Sequence, residues 1–218
     1  MLRIDMHVHT NCSPDSLSSE KDVISACMKR GLSGVAITDH NTIRGALAAK
    51  KSAPPGFTII IGEEIQTRDG EIIGYFLEEN IPPHLPAEET VKRIKAQGGL
   101  VGIPHPFGSF RQTRLKEETL EKIVGKADII ETFNSRNICK RDDQKALNLA
   151  RKNGTAQVAG SDAHLSSEIG RSFIEVDDFN TTQEFLRNLY SAKLITNRSS
   201  FRVHMVTILV KLFRKLRR

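Results

Sequence analysis

The chain has 218 residues, which suits one domain or one domain with an appendage. Hydrophobic residues make up 39% of it, with no Trp and 2 Tyr, so the core is expected to be aliphatic with some Phe. The formal net charge of +6 is not spread evenly: Arg202 to the end carries six Lys/Arg and no Asp or Glu, leaving 26 basic and 26 acidic residues before it, which excludes a global basic field on the body.

Three cysteines, Cys12, Cys27 and Cys139, lack CxxC spacing and argue against a disulfide scaffold. The first 20 residues are too polar for a signal sequence, and no apolar run approaches the ~18–20 residues of a spanning helix. A cytoplasmic protein with reduced thiols is the expectation.

Leu2–His7 reads as a short strand running into Asp5-Met6-His7-Val8-His9. Ser18–Arg30 reads as a helix that Ser18 caps, that carries Val23, Ile24, Cys27 and Met28 on one face, and that Gly31 stops. Gly34–Thr38 is a strand leading to Thr38-Asp39-His40-Asn41, and Thr42–Lys51 a helix. Phe57–Ile61 is a third strand that meets Gly62-Glu63-Glu64; Ile65–Thr67 and Glu71–Leu77 then flank a hairpin turn at Arg68-Asp69-Gly70. After a loop with Pro82, Pro83 and Pro86 comes a helix over Ala87–Gln97, ended by Gly98-Gly99, and a strand Leu100–Ile103 that stops at Pro104-His105-Pro106.

A helix near Lys116–Val124 precedes the strand Asp128–Phe133. The helix Lys140–Asn153 precedes the strand Ala156–Gly160, which ends at Gly160-Ser161-Asp162-Ala163-His164. Ser172–Val176, a helix over Thr181–Tyr190 and Leu194–Thr196 complete a body of residues 1–200. In residues 201–218, Phe201, Met205, Ile208, Leu209, Leu212, Phe213 and Leu216 recur at three- and four-residue spacings among basic residues, the pattern of a basic amphipathic helix. Its first reading is a helix packed on the body; a peripheral membrane anchor and a nucleic-acid contact follow.

Repeated strand–helix units argue for a parallel α/β fold with functional groups at the carboxyl ends of strands. Polar motifs at five or more strand ends suit a distorted (β/α) barrel better than an open sheet with one switch point. Imidazole and carboxylate are ligands for divalent metals, so the four histidine motifs read as one metal site. His7 and His9, two apart on extended chain, face the same way; Asp5 shares their parity and is placed to orient a ligand. Asp162 and His164 repeat that spacing. Glu63 and Glu64 face opposite ways, so only one serves easily. His84 and His204 fall outside such contexts and read as loop and tail residues.

In order, DxHxH, TDH, a Glu after the third strand, PHP and a final GSDAH resemble the PHP (polymerase and histidinol phosphatase) phosphoesterases over about residues 1–176. The resemblance implies a distorted (β/α)7 TIM-like barrel that holds two or three divalent ions, with manganese, zinc or iron the usual metals and manganese expected first. It implies His7, His9 and Asp162 for one ion, His105 with Glu64 for a second, and Asp15, His40 and His164 for a third. Gly62-Glu63-Glu64-Ile65 matches the family's Gly-x-Glu-Ile with Glu64 as the bridging carboxylate. Relatives often carry a His where this chain has Glu71, here expected to be an oxygen ligand that shifts preference toward manganese or iron, the alternative being an exposed hairpin residue that leaves the second ion weakly held.

Clustered divalent ions suit phosphate ester hydrolysis, since they polarise phosphoryl oxygens and lower the pKa of bound water to about 7. The expectation is attack by a metal-bridged hydroxide, with His164 or His40 assisting proton transfer, although either is a poor free base while it binds a metal. Asn134 and Arg136 follow the sixth strand, a segment that the resemblance places at the active site; Arg136 is the expected phosphate holder, with Arg111, Arg114 and Arg171 as further candidates. The expected substrate is a nucleotide, an oligonucleotide or another small phosphorylated molecule. Alternatives are a histidinol-phosphatase-like enzyme, an amidohydrolase-type metal hydrolase and a non-catalytic metal-binding domain.

Overall fold

The computed structural model describes residues 1–200 together with Val203 and Thr207. Strand β1 (Leu2–Val8) leads to α1 (Glu20–Lys29), β2 (Gly34–Ile37), α2 (Arg44–Ser52), and the hairpin β3 (Thr58–Thr67) and β4 (Gly70–Tyr75). Then come α3 (Ala87–Ala96), β5 (Leu100–Ile103), α4 (Glu117–Ile123), β6 (Ile129–Asn134), α5 (Lys140–Asn153) and β7 (Ala156–Gly160). Strand β8 (Phe173–Val176), α6 (Thr182–Leu189) and β9 (Lys193–Ile195) complete the body. The two apolar segments expected on either side of Gly62-Glu63-Glu64 are one ten-residue strand, β3. Helix α1 is capped by Ser19 rather than Ser18: the Ser19 hydroxyl accepts from the Asp22 N–H and the Asp22 carboxylate takes the Ser19 N–H, a reciprocal capping box.

The strands form a single sheet in the order β7-β6-β5-β4-β3-β2-β1-β8-β9. Neighbours from β1 to β7 are parallel except β4, which runs antiparallel to β3 and β5. The ring closes at one rim only: Val8 bridges Ala163 just past β7, and the His9 N–H donates to the Ala163 carbonyl at 2.9 Å. At the other rim β8 pairs antiparallel with Leu2–Ile4 and fills the seam. The result is a nearly closed, distorted seven-stranded TIM-like barrel with a β8–β9 flap, as the strand-end motifs suggested.

Three apolar clusters hold this arrangement. Ile4, Met6, Ala36, Ile60, Ile73, Tyr75, Ile129 and Val158 pack together with Phe185 and Leu189 of α6, and the Tyr75 hydroxyl donates to the Met6 carbonyl at 3.2 Å. Val8, Val35 and Ile37 pack with Val23, Ile24 and Cys27 of α1 and with Ala46 and Ala49 of α2. Ile65, Ile72, Val101, Ile103 and Ile130 pack with α3 and α4. Met6 and Val8 share sequence parity yet join different clusters because the register of β1 shifts between Asp5 and Val8. Such an irregularity re-aims side chains at a barrel rim.

The expected helix over 201–218 lies outside the described residues apart from Val203 and Thr207, both helical. Cys12, Cys27 and Cys139 are free thiols. No helix among the described residues is long and apolar enough to cross a membrane.

Candidate metal centre

The register shift in β1 decides which residues reach the barrel mouth. His7 and His9 both point in, their Nε2 atoms 3.1 Å apart. Asp5 does not join them. Its carboxylate accepts the N–H groups of His7, Ser161 and Gly170, tying β1 to the loop after β7 and orienting His7 through its backbone rather than its ring. That loss of solvent pushes the Asp5 carboxyl up to about 6, against the hydrogen bonds it accepts.

From β3, Glu64 comes within 3.5 Å of His7 Nε2, 3.4 Å of His9 Nε2, 3.1 Å of His40 Nδ1 and 3.1 Å of His105 Nε2. Glu63 takes the opposite face and accepts the Ile81 N–H at 2.9 Å, as the pleat requires. The loop after β7 supplies Asp162, whose Oδ1 lies 3.7 Å from His7 Nε2 and 3.4 Å from His9 Nε2. Asp15 stands 3.5 Å from His40 Nε2 and 3.2 Å from His164 Nε2. Glu71, on β4, is buried and groups with His40 and Glu64, 3.9 Å from His105 Nε2. All nine expected ligand positions therefore meet in one cleft, whereas His84 lies on an exposed loop.

The rings are fixed from behind. His7 Nδ1 meets Glu131 Oε1 at 3.1 Å, and His9 Nδ1 meets the Ser13 hydroxyl at 3.1 Å, which in turn donates to Asp39 at 2.7 Å. Each contact occupies Nδ1 and turns Nε2 toward the cleft, the orientation typical of metal-binding histidines. Glu131 was not anticipated as a site residue. Its other oxygen accepts the His105 N–H at 2.8 Å and the Asn134 amide at 3.0 Å, so one carboxylate joins three parts of the site. The available signal was a lone acid at a strand end, three residues before Asn134.

Two site residues have left-handed backbones: His105 at φ 27° and Asp162 at φ 53°. For non-glycine residues this costs on the order of 1–3 kcal/mol each and is concentrated at functional sites. The surrounding prolines and the Glu131 contact hold His105; Arg111 and Asn134 hold Asp162.

Electrostatically the cleft sets anions against imidazoles. Burial works to raise the Glu64 carboxyl, but His7 and His40 hold it well below the usual range. Burial is likewise overcome at Asp162, where Arg111 and His7 keep the carboxylate ionised. His9 is driven the other way, to about 3, by burial and by its neighbours His164 and His40. Burial and the Glu64 charge raise Glu71. Carboxylates held ionised and imidazole nitrogens crowded this closely are a donor set that fits divalent cations, which would take the place of the ring protons. The four ligand groupings are His7/His9/Glu64, His7/His105/Asp162, His40/Glu64/Glu71 and His9/His40/His164.

The four candidate arginines separate. Arg111 and Arg136 line the cleft. Arg114 lines a groove with Phe107 and Glu117, and Arg171 donates to the Arg198 carbonyl at 3.3 Å. Arg111 donates to Asp162 and, at 3.1 Å, to Asn134 Oδ1. Arg136 donates from Nε to Glu168 at 3.0 Å, lies 3.1 Å from His164 Nδ1 by Nη1, and reaches Thr207 and the Val203 carbonyl by Nη2. Glu168 also accepts the His164 N–H at 3.2 Å, so this acid, unmarked by any sequence motif, positions both residues.

Residues 140–194 match the PHP-associated family model. A protein of Methanocaldococcus jannaschii of uncharacterised function is 36% identical over 182 residues, 82% of this chain and 72% of its own length. Another from that organism, also uncharacterised, is 44% identical over 117 residues, 49% of this chain and 68% of its own length. A crystal structure from Bacteroides vulgatus, of a two-domain protein containing a predicted PHP-like metal-dependent phosphoesterase, superposes with a TM-score of 0.75 at 19% identity. It covers 90% of this chain, which spans 65% of that protein's length. With the barrel and its ordered motifs, these matches place the chain in the PHP domain family.

Proposed function

We propose that the chain is a metal-dependent phosphoesterase. The observation that carries this reading is Glu64, a buried carboxylate whose two oxygens lie within 3.5 Å of the imidazoles of His7, His9, His40 and His105. A carboxylate so placed is suited to bridge ions, which makes a centre with more than one metal the natural occupant. His7, His9, Asp162 and Glu64 would hold one ion, His105, Glu64 and Glu71 a second, and Asp15, His40 and His164 a third. Four carboxylates among the ligands favour manganese or iron over zinc.

When bound, such ions supply Lewis acidity toward phosphoryl oxygens and ready deprotonation of water near neutral pH. The chain's own residues do the rest. Arg111 and Arg136 bring guanidinium groups to the cleft, where planar donors suit phosphate. Asn134 fixes Arg111 and Asp162 relative to Glu131. His164, held by Arg136 and by Glu168 through its N–H, is the residue placed to pass a proton when the third ion position is empty. The substrate is a phosphate ester of a nucleotide or of another small molecule.

Glu64→Gln keeps the shape and removes the charge. Bound metal, measured by elemental analysis, should fall together with phosphate release, the latter by at least about a hundredfold. Retention of both metal and turnover would remove Glu64 from the centre and the reading with it.

A further inference from the structure

The metal cleft, about 290 Å³, has a neighbour. A second cavity of about 150 Å³ is lined by Ser109, Phe110, Arg111, Arg136, Asn137 and Ile138. The two share Arg111 and Arg136, whose guanidinium groups are tied to Asp162 and His164 on the cleft side. Phe110 is 75% exposed and Ile138 49% exposed, on the loops after β5 and β6. These loops are anchored rather than free-standing: the Ser109 hydroxyl donates to Asp142 at 2.7 Å and the Asn137 amide to Asp143 at 2.8 Å, both in the first turn of α5. Two large apolar side chains therefore flank a pre-built hollow on the far side of an arginine wall from the metal centre.

We propose that this cavity is the leaving-group subsite and that it takes one planar ring, so that the substrate class is the phosphate ester of a single-ring alcohol or phenol. This rests on the phosphoesterase reading: the phosphoryl group lies in the metal cleft, the ester oxygen at the arginine wall, and the organic half beyond it. The size suits a single ring, since about 150 Å³ is the volume of a cavity that accommodates one benzene. Phe110 and Ile138 both line the cavity and supply apolar contact for a ring, Phe110 by offset stacking. Phe110 and Ile138 are thus specificity-determining residues, and neither belongs to the core.

The test uses the manganese-loaded full chain and phosphonates, whose C–P bond resists hydrolysis, with binding measured by calorimetry. Phenylphosphonate should bind at least tenfold tighter than methylphosphonate, and 1-naphthylphosphonate should lose that gain. Phe110→Ala, and separately Ile138→Ala, should erase most of the tenfold difference while leaving methylphosphonate affinity unchanged. Equal affinities for the phenyl and methyl compounds, or an undiminished difference in both variants, would overturn the subsite. Phosphate release from phenyl phosphate is followed in parallel. Selective phenylphosphonate binding without turnover would defeat the phosphoesterase reading and leave the ring subsite standing; turnover without selective binding would do the reverse.

Discussion

At the residue scale, the residues that gather at the cleft were legible because histidine motifs with a nearby carboxylate or flanking prolines are short and local. His7, His9, His40, His105, Asp162 and His164 each sit in such a motif, and all reach the cleft. The groups that hold them were much less so. Glu131 and Glu168 are single acids that each reach a distant partner, His7 at 124 residues and Arg136 at 32, contacts that no local spacing reveals. Asp5 was readable only in part: its parity suggested a supporting role, but that this role runs through the N–H groups of His7 and Ser161 is set by the shift in β1. Arg136 tests the support network. Arg136→Lys keeps the charge but loses the fork that spans Glu168, His164 and Thr207. Phosphate-release kinetics should show kcat/KM lower by roughly 10–100-fold, and wild-type kinetics in this variant would show that the fork is dispensable.

At the element scale, period-3.6 and period-2 patterns located the helices and strands to within a few residues, and α5 and β7 have the expected bounds. What the patterns could not show were the register shifts in β1 and β6, where an extra residue breaks the alternation. Both shifts sit at the rim and deliver site residues: His7 from β1, Glu131 and Asn134 from β6. The close approach of β7 to β1 depends on Gly160, where a Cβ would lie 2.5 Å from His7 Cβ and 2.6 Å from Glu131 Oε1. Gly160→Ala must push apart the His7–Glu131 pair. Manganese affinity measured by calorimetry should fall by about 10–100-fold, the usual effect of disturbing a ligand's orienting partner, with the fold retained by circular dichroism. Unchanged affinity would show that the pair does not set the ligand geometry.

At the scale of the whole molecule, the barrel brings together residues from Asp15 to His164 that share nothing in the unfolded chain, so bound metal should act as a clamp on the native state. Manganese at a hundred times its Kd should add about 2.7 kcal/mol. For a domain of this size that raises Tm by roughly 5–11 °C in a thermal scan, and a Tm indifferent to manganese would argue against a site formed by the fold. The distorted barrel was readable from the recurrence of polar motifs at strand ends, but the filling of its seam by β8 was not, because that antiparallel pairing leaves no local mark. The C-terminal segment touches the site through Thr207 and Val203 on Arg136, a contact that the amphipathic pattern of residues 201–218 did not disclose. The most direct measurement is phosphate release by the chain stripped of metal with a chelator and then titrated with manganese. Activity that falls by at least about a hundredfold on stripping and returns with manganese is the expected result; hydrolysis that continues undiminished in the stripped protein would contradict the metal-dependent account.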